Sequence, residues 1–176
     1  MKRIFLLMSI AFFAVACGNG AEATDNDETT DTEAVDEIME ETLTEEDTSE
    51  PVEVEMVVYA KGETMTEMTY EPNRLEVPAG SIVTITLENK ATSEAMIHNI
   101  VFIQKGKQTE VAEAGLEAGP EMEYIPDNEN IIAATSLAGP GETVEVEFTA
   151  PDKKGTYQFI CTYPGHTAMK GILLVK

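Results

Sequence analysis

Tryptophan is absent from this chain, and cysteine and histidine occur only twice each, as Cys17, Cys161, His98 and His166. Two cysteines cannot build the disulfide framework that staples many small secreted domains. Two histidines cannot furnish several imidazole-rich metal clusters in one chain. Basic residues are also scarce: 11 Lys and Arg stand against 33 Asp and Glu, a formal net charge of −22. Phosphates repel such a chain, so nucleic acid is excluded as a natural partner. No long apolar run is present either. The stretch from Ile4 to Ala16, broken only by Ser9, is too short for a comfortable membrane span.

The order of residues is informative at the N-terminus. Lys2 and Arg3 precede that apolar stretch, and small residues lead into Cys17, the layout of an export signal over residues 1–16. Ala14-Val15-Ala16-Cys17 also resembles a bacterial lipobox, in which the cysteine becomes the lipidated first residue of the mature protein. A plain secretory signal that happens to contain a cysteine is the simpler alternative. The lipobox reading places the protein on the periplasmic side of a bacterial membrane, held by lipid on Cys17. Cys161 would then be the only thiol left in an oxidising compartment, which calls for burial, reactivity or a metal to explain it.

Residues 17–50 form the next segment. From Gly18 to Glu50 there is no Lys, Arg or aromatic residue, and Glu, Asp, Thr and Ala dominate. Low hydrophobicity with charge of one sign cannot offset the entropy of ordering, so a disordered acidic linker is expected. Such a tether spans roughly 30 Å root-mean-square. Val35, Ile38, Met39 and Leu43 fall at helical spacing within it, readable as a transient helix or as a docking helix for a partner.

From residue 51 onward the period becomes two. Val52, Val54, Met56 and Val58 mark one strand, Val83, Ile85 and Leu87 a second, and Val144, Val146 and Phe148 a third. Shorter candidates are Met68–Tyr70, Leu75–Val77, Asn99–Ile103, Ile131–Ser136, Thr156–Cys161 and Gly171–Val175. Turn signals at Pro72-Asn73, Pro78-Ala79-Gly80, Gly139-Pro140-Gly141 and Pro151-Asp152 punctuate them. Many short strands at this spacing predict an all-β Greek-key sandwich or barrel over residues 51–176. The pattern lapses from Gly106 to Asn130, where Val111, Ala112, Ala114, Gly115 and Leu116 suggest a short helical flap. Residues 51–176 carry nineteen acidic and nine basic residues, so the folded part is acidic without its linker.

Chemistry concentrates in Cys161-Thr162-Tyr163-Pro164-Gly165-His166-Thr167-Ala168-Met169. A thiol, an imidazole and a thioether on one loop are soft ligands suited to copper or zinc. His98 is the one other imidazole the chain can offer. A Cys–His nucleophile pair is a different reading, but no accompanying base or substrate-pocket signal supports it. Structural zinc usually takes more thiolates, and catalytic zinc does not call for Met169.

These residues carry a family resemblance. Leu75-Glu76-Val77-Pro78-Ala79-Gly80, His98-Asn99, Gly139-Pro140-Gly141-Glu142 and Cys161 to His166 followed by Met169-Lys170-Gly171 resemble the cupredoxins, specifically azurins and auracyanins. The resemblance runs from about Tyr70 to Lys176. It implies a single copper ion cycling between Cu(I) and Cu(II), with His98, Cys161 and His166 as equatorial ligands and Met169 as the axial one. It also implies a distant backbone carbonyl from Ile97. Asn99 would tie the His-bearing segment to the Cys-bearing loop at Thr162. Pro164, with no N–H to donate to the thiolate, would favour Cu(II) and lower the potential.

The implied function is single-electron transfer, with no substrate chemistry at the protein itself. Cytochromes or membrane oxidoreductases are the expected partners, docking near a solvent-reaching His166 edge in an apolar patch to which Pro164, Ala168 and Met96 contribute. The domain is expected to be monomeric. Copper storage, delivery or sensing by the same cage is the alternative. A multicopper oxidase is excluded as a single-chain enzyme because both histidines are already used. Two features depart from the azurins: the loop between His166 and Met169 is one residue shorter, and the disulfide near the start of the azurin domain has no counterpart.

Overall fold

A computed structural model describes residues 52–176. The export signal, Cys17, the acidic linker and its helix-spaced apolar residues all lie outside the described residues.

Nine strands, one α-helix and a short 3-10 helix (Pro120–Met122, between α1 and β6) make up the described part: β1 (Glu53–Lys61), β2 (Thr69–Glu71), β3 (Arg74–Val77), β4 (Ile82–Asn89), β5 (Val101–Ile103), α1 (Gln108–Ala118), β6 (Ile131–Ala134), β7 (Thr143–Thr149), β8 (Gly155–Ile160) and β9 (Lys170–Val175). They form two sheets, a four-stranded one ordered β2-β1-β4-β7 and a five-stranded one ordered β3-β9-β8-β5-β6. β1 pairs parallel with β4, and β3 parallel with β9; the remaining pairings are antiparallel. Neighbours in the sheets are often distant in sequence, which is the expected Greek-key sandwich with a helical flap.

The alternation read from sequence is the alternation that packs. In β4, Val83, Ile85 and Leu87 are fully buried while the intervening residues are half-buried. In β7, Thr143, Glu145 and Glu147 are exposed and Phe148 is buried. Val58, Tyr70, Leu75, Phe102, Phe148, Phe159 and Leu173 meet between the sheets, and Cys161 and Met169 belong to the same cluster. Phe102 lies with its ring centre 4.9 Å from Phe148 and 5.5 Å from Phe159, closing the sandwich with aromatic contacts. The metal-binding candidates therefore sit at one end of the core rather than on a free loop.

Most strand limits shift by a residue or more from expectation, and two of the shifts have a visible cause. β5 begins at Val101, not Asn99, because His98 makes an isolated bridge with Ala138 instead of joining the ladder. β6 ends at Ala134, since the Thr135 hydroxyl accepts from the Ile100 N–H and donates to the Ser136 carbonyl, side-chain bonding that replaces a ladder position. The helix is longer than its apolar residues suggested, running from Gln108 to Ala118 with Val111, Ala112 and Gly115 buried.

Candidate metal centre

The site is assembled from two segments 63 residues apart in sequence. Cys161 follows β8 directly, and the chain then turns back so that the Cys161 N–H donates to the Met169 carbonyl at 3.1 Å before β9 begins. Within this loop the His166 N–H donates to the Tyr163 carbonyl at 3.0 Å, and the Met169 N–H to the His166 carbonyl at 2.9 Å. Gly165 takes φ 82° at the apex. The positive φ favours glycine there; Met65 Cε lies 2.5 Å from where a Cβ would sit, but that flexible side-chain end could move aside.

His98 arrives from the other segment. Its N–H donates to the Ala138 carbonyl at 3.0 Å and its carbonyl accepts from the Ala138 N–H at 2.7 Å. Asn89 supports the same place, donating through Nδ2 to the Met96 carbonyl at 2.6 Å and to the Ala138 carbonyl at 3.0 Å. His98 is thus fixed by the sandwich edge, independently of the Cys-bearing loop.

The donor atoms converge. His98 Nδ1 lies 3.2 Å from His166 Nδ1 and 3.9 Å from Cys161 Sγ, and all three ligand atoms fall within 4.8 Å of one another. Each of these three side chains is buried. Met169 is buried beside Cys161 in the core, and the Ile97 carbonyl faces the His166 ring. Burial, with His166 alongside, holds the His98 imidazole down to about 4, and burial also lowers His166, so both rings are neutral and able to donate lone pairs at pH 7. Burial pushes the Cys161 thiol up to about 11, partly opposed by the Asn99 and Tyr163 amides and the Tyr70 hydroxyl. A thiol held this way is a poor free nucleophile, whereas metal coordination deprotonates it outright. His98 Nε2 is the one buried side-chain polar atom without a partner among the described residues. One thiol, one thioether and two neutral imidazoles form a donor set that fits copper.

Asn99 and Thr162 hydrogen-bond to each other across the two segments. The Thr162 N–H donates to Asn99 Oδ1 at 3.0 Å, and Asn99 Nδ2 donates to Thr162 Oγ1 at 2.9 Å. The flap also reaches the site, which the sequence reading missed. Gln108 Nε2 donates to the Thr167 carbonyl at 2.8 Å, and Tyr124 meets Tyr163 edge-on at 5.4 Å between ring centres. At Gly115 a Cβ would stand 2.7 Å from the Tyr124 carbonyl oxygen and 3.3 Å from Thr162 Cβ. The only sequence signal for this contact was a glycine inside an otherwise apolar helical pattern.

Two surface expectations need correction. His166 is 1% exposed, so its ring edge does not reach solvent here; it packs 5.0 Å, centre to centre, from Tyr163. Met96 is 3% exposed and belongs to the core, because the loop before His98 turns inward, the Met96 N–H bonding to the Ser93 carbonyl. The apolar surface above the loop is supplied instead by Met65, 49% exposed over Gly165, together with exposed Ala168 and half-buried Pro164.

Comparison with known proteins adds independent findings. The family described as copper binding proteins, plastocyanin/azurin family, matches residues 54–176. Auracyanin-A of Chloroflexus aurantiacus is 44% identical over 132 residues, covering 73% of this chain and 76% of that protein. Azurin of Alcaligenes faecalis is 40% identical over 96 residues, covering 51% and 75%. The solved structure of auracyanin A, described as a "blue" copper protein, superposes with a TM-score of 0.63 at 41% identity, covering 70% of this chain and 99% of that one.

Proposed function

Since the chain belongs to the plastocyanin/azurin family of copper-binding proteins and is an electron-transfer protein of the blue copper type, we propose that His98, Cys161 and His166 hold its copper with Met169 as a weak axial partner. The observation that carries this assignment is the convergence of both Nδ1 atoms and Sγ within 4.8 Å in a buried pocket. Copper bound there supplies a one-electron couple between Cu(I) and Cu(II).

The protein's part is to keep the donors in place in both states. His98 is pinned by its Ala138 bridge, Cys161 by the Met169 carbonyl, and the two segments by Asn99 and Thr162. Groups gathered before the electron arrives need little movement when it does, and such pre-organisation favours fast transfer over substrate chemistry. Full burial of the donors also opposes rapid release of metal to a recipient, which argues for carriage of electrons over copper delivery.

The acidic domain is read as monomeric, working at the end of a lipid-anchored tether: residues 1–16 as export signal, Cys17 as lipidation site, 17–50 as linker and 51–176 as the copper domain. The signal-like N-terminus and the Ala14-Val15-Ala16-Cys17 sequence support this reading. It places the protein on the periplasmic side of a bacterial membrane. Redox proteins such as cytochromes or membrane oxidoreductases would dock above His166, on the patch formed by Met65, Pro164 and Ala168. A small apolar patch on an acidic surface suits brief encounters.

Visible absorption and electron paramagnetic resonance of the copper-loaded protein test the centre. An intense thiolate-to-copper band with narrow copper hyperfine splitting is expected, and Cys161→Ser should abolish the band while the fold survives. Persistent colour in that variant would refute the thiolate assignment. For the anchor, Cys17→Ala should release the protein from the membrane fraction; unchanged membrane association would remove the lipid from the account.

A further inference from the structure

His166 is covered, yet a series of ring contacts leads outward from it. Its ring centre lies 5.0 Å from that of Tyr163, and the Tyr163 ring lies 5.4 Å from Tyr124, edge-on at 80°. Both tyrosines are half-buried, so the three rings step from a buried imidazole to the flap. Turn geometry fixes Tyr163: its carbonyl accepts from the His166 N–H at 3.0 Å, and its ring packs on the core. Tyr124 is held under strain. Glu123 and Tyr124, at φ 51° and 59°, are the two non-glycine residues with positive φ among the described residues. A bulky residue in the left-handed region persists only where its surroundings over-determine it. Here the Tyr124 N–H donates to the Gly119 carbonyl at 3.0 Å, and the Tyr124 carbonyl lies against Gly115 of α1. The Glu123 carbonyl accepts from Asn99 Nδ2 at 3.4 Å. These bonds hold the strained pair where the Tyr124 ring meets Tyr163.

We propose that Tyr163 and Tyr124 form an electron route between His166 and the flap, a second entry to the copper besides the Met65, Pro164 and Ala168 patch. The inference rests on His166 being a copper ligand. Electron tunnelling weakens exponentially with distance, and weakens less across bonded and touching atoms than across a gap. Rings in contact therefore carry coupling outward where shorter aliphatic side chains leave a gap. One electron leaves the reduced cofactor of a redox protein, crosses both rings in a single step and converts Cu(II) to Cu(I). Neither tyrosine is oxidised on the way, and no bond forms or breaks. The flap also says what kind of partner fits. From Gln108 to Asn130 the chain has no Lys or Arg, while Glu113, Glu117, Glu121 and Asp127 are exposed. Met122, two residues from Tyr124, is 56% exposed and adds an apolar contact. This surface attracts a redox protein with Lys or Arg around its cofactor edge.

Aromatic pairs pack together in any fold, so the test must separate coupling from mere support. Glu121→His offers a ruthenium polypyridyl label an exposed imidazole on the flap, while His98 and His166 are buried. Flash photolysis of the labelled, copper-loaded protein then times electron transfer from the label to the copper. Tyr124→Leu and Tyr163→Leu should each slow it severalfold, and Tyr124→Phe and Tyr163→Phe should keep the original rate. The thiolate-to-copper band and the potential should stay unmoved in the Tyr124 variants. A label carried instead by Lys170→His, an exposed position next to Met169, provides the control, and its transfer should not respond to Tyr124→Leu. An unchanged rate from the flap label in Tyr124→Leu, or equal slowing from both labels, overturns the proposal. Where Tyr163→Leu disturbs copper binding, the Tyr124 variants decide alone. A second readout needs neither copper nor a variant. In the metal-free protein the Tyr163 ring protons should show nuclear Overhauser contacts to both Tyr124 and His166, and their absence overturns the route. If the flap-labelled protein lacked a thiolate-to-copper band, the ligand assignment would fail and the route with it; with the band present and the rates unmoved, only the route falls.

Discussion

Asn99 and Thr162 clasp the two halves of the metal centre together. One amide side chain accepts from the Thr162 N–H and donates to its hydroxyl, at 3.0 and 2.9 Å, across 63 residues of sequence. Both residues are buried, so no water can replace either partner. Asn99→Ala should therefore destabilise the protein by about 2–4 kcal/mol, the cost of orphaning buried polar groups within a network. Chemical denaturation of the metal-free form measures it. A loss below about 0.5 kcal/mol, the range of ordinary surface substitutions, would show the clasp to be incidental.

Met169 is buried next to Cys161, and its backbone carbonyl already closes the loop onto the Cys161 N–H. Met169→Leu keeps that backbone bond and most of the packing volume. The expected result is a copper protein of nearly unchanged fold with a higher reduction potential, read by voltammetry. Complete loss of copper would contradict a weak axial role.

Gly115 lets α1 lie against the Tyr124 carbonyl and Thr162. Gly115→Ala would raise helix propensity, a gain of about 1 kcal/mol. Yet the new Cβ would stand 2.7 Å from a backbone oxygen. Overpacking of this kind costs about 1–3 kcal/mol, so a net loss of melting temperature is expected. Increased stability would mean the flap can lift without resistance.

The buried histidines make the metal-free protein sensitive to acid. His98 titrates near 4 in the folded chain against 6.5 when free, chiefly through burial and then through His166. As pH falls below about 6.5 the unfolded chain takes up this proton first. The contribution is therefore complete above that pH and drains away as pH falls to about 4, amounting to about 3 kcal/mol. The lowering at His166 acts in the same direction. Melting temperatures of the metal-free protein across this window should fall, and His98→Gln should flatten the profile. A slope unchanged by that substitution would exclude His98 as the group responsible.

The strands β4 and β7 were legible in the sequence because side-chain direction alternates with a period of two, and the apolar residues of each keep that period. The Cys161–Met169 loop was legible for a similar reason. Three ligand-type side chains lie within nine consecutive residues, so local spacing alone brings them near one another. What the chain order could not reveal was depth and partnership. Met96 turned inward and His166 was covered, while Met65 came to lie over Gly165. The flap reached Thr162 and Thr167 through Gly115 and Gln108. Tyr70, read only as a strand residue, gave its hydroxyl proton to the Asn99 carbonyl beside the site. Periodicity says which face of a strand is buried, but not what it is buried against. That is decided when β8 pairs with β5 and β9 and carries Cys161 to the segment bearing His98. Sequence determined the donor set and the strand pattern; the non-local pairing of the sheets brought the donors to one point and chose the groups around the sulfur.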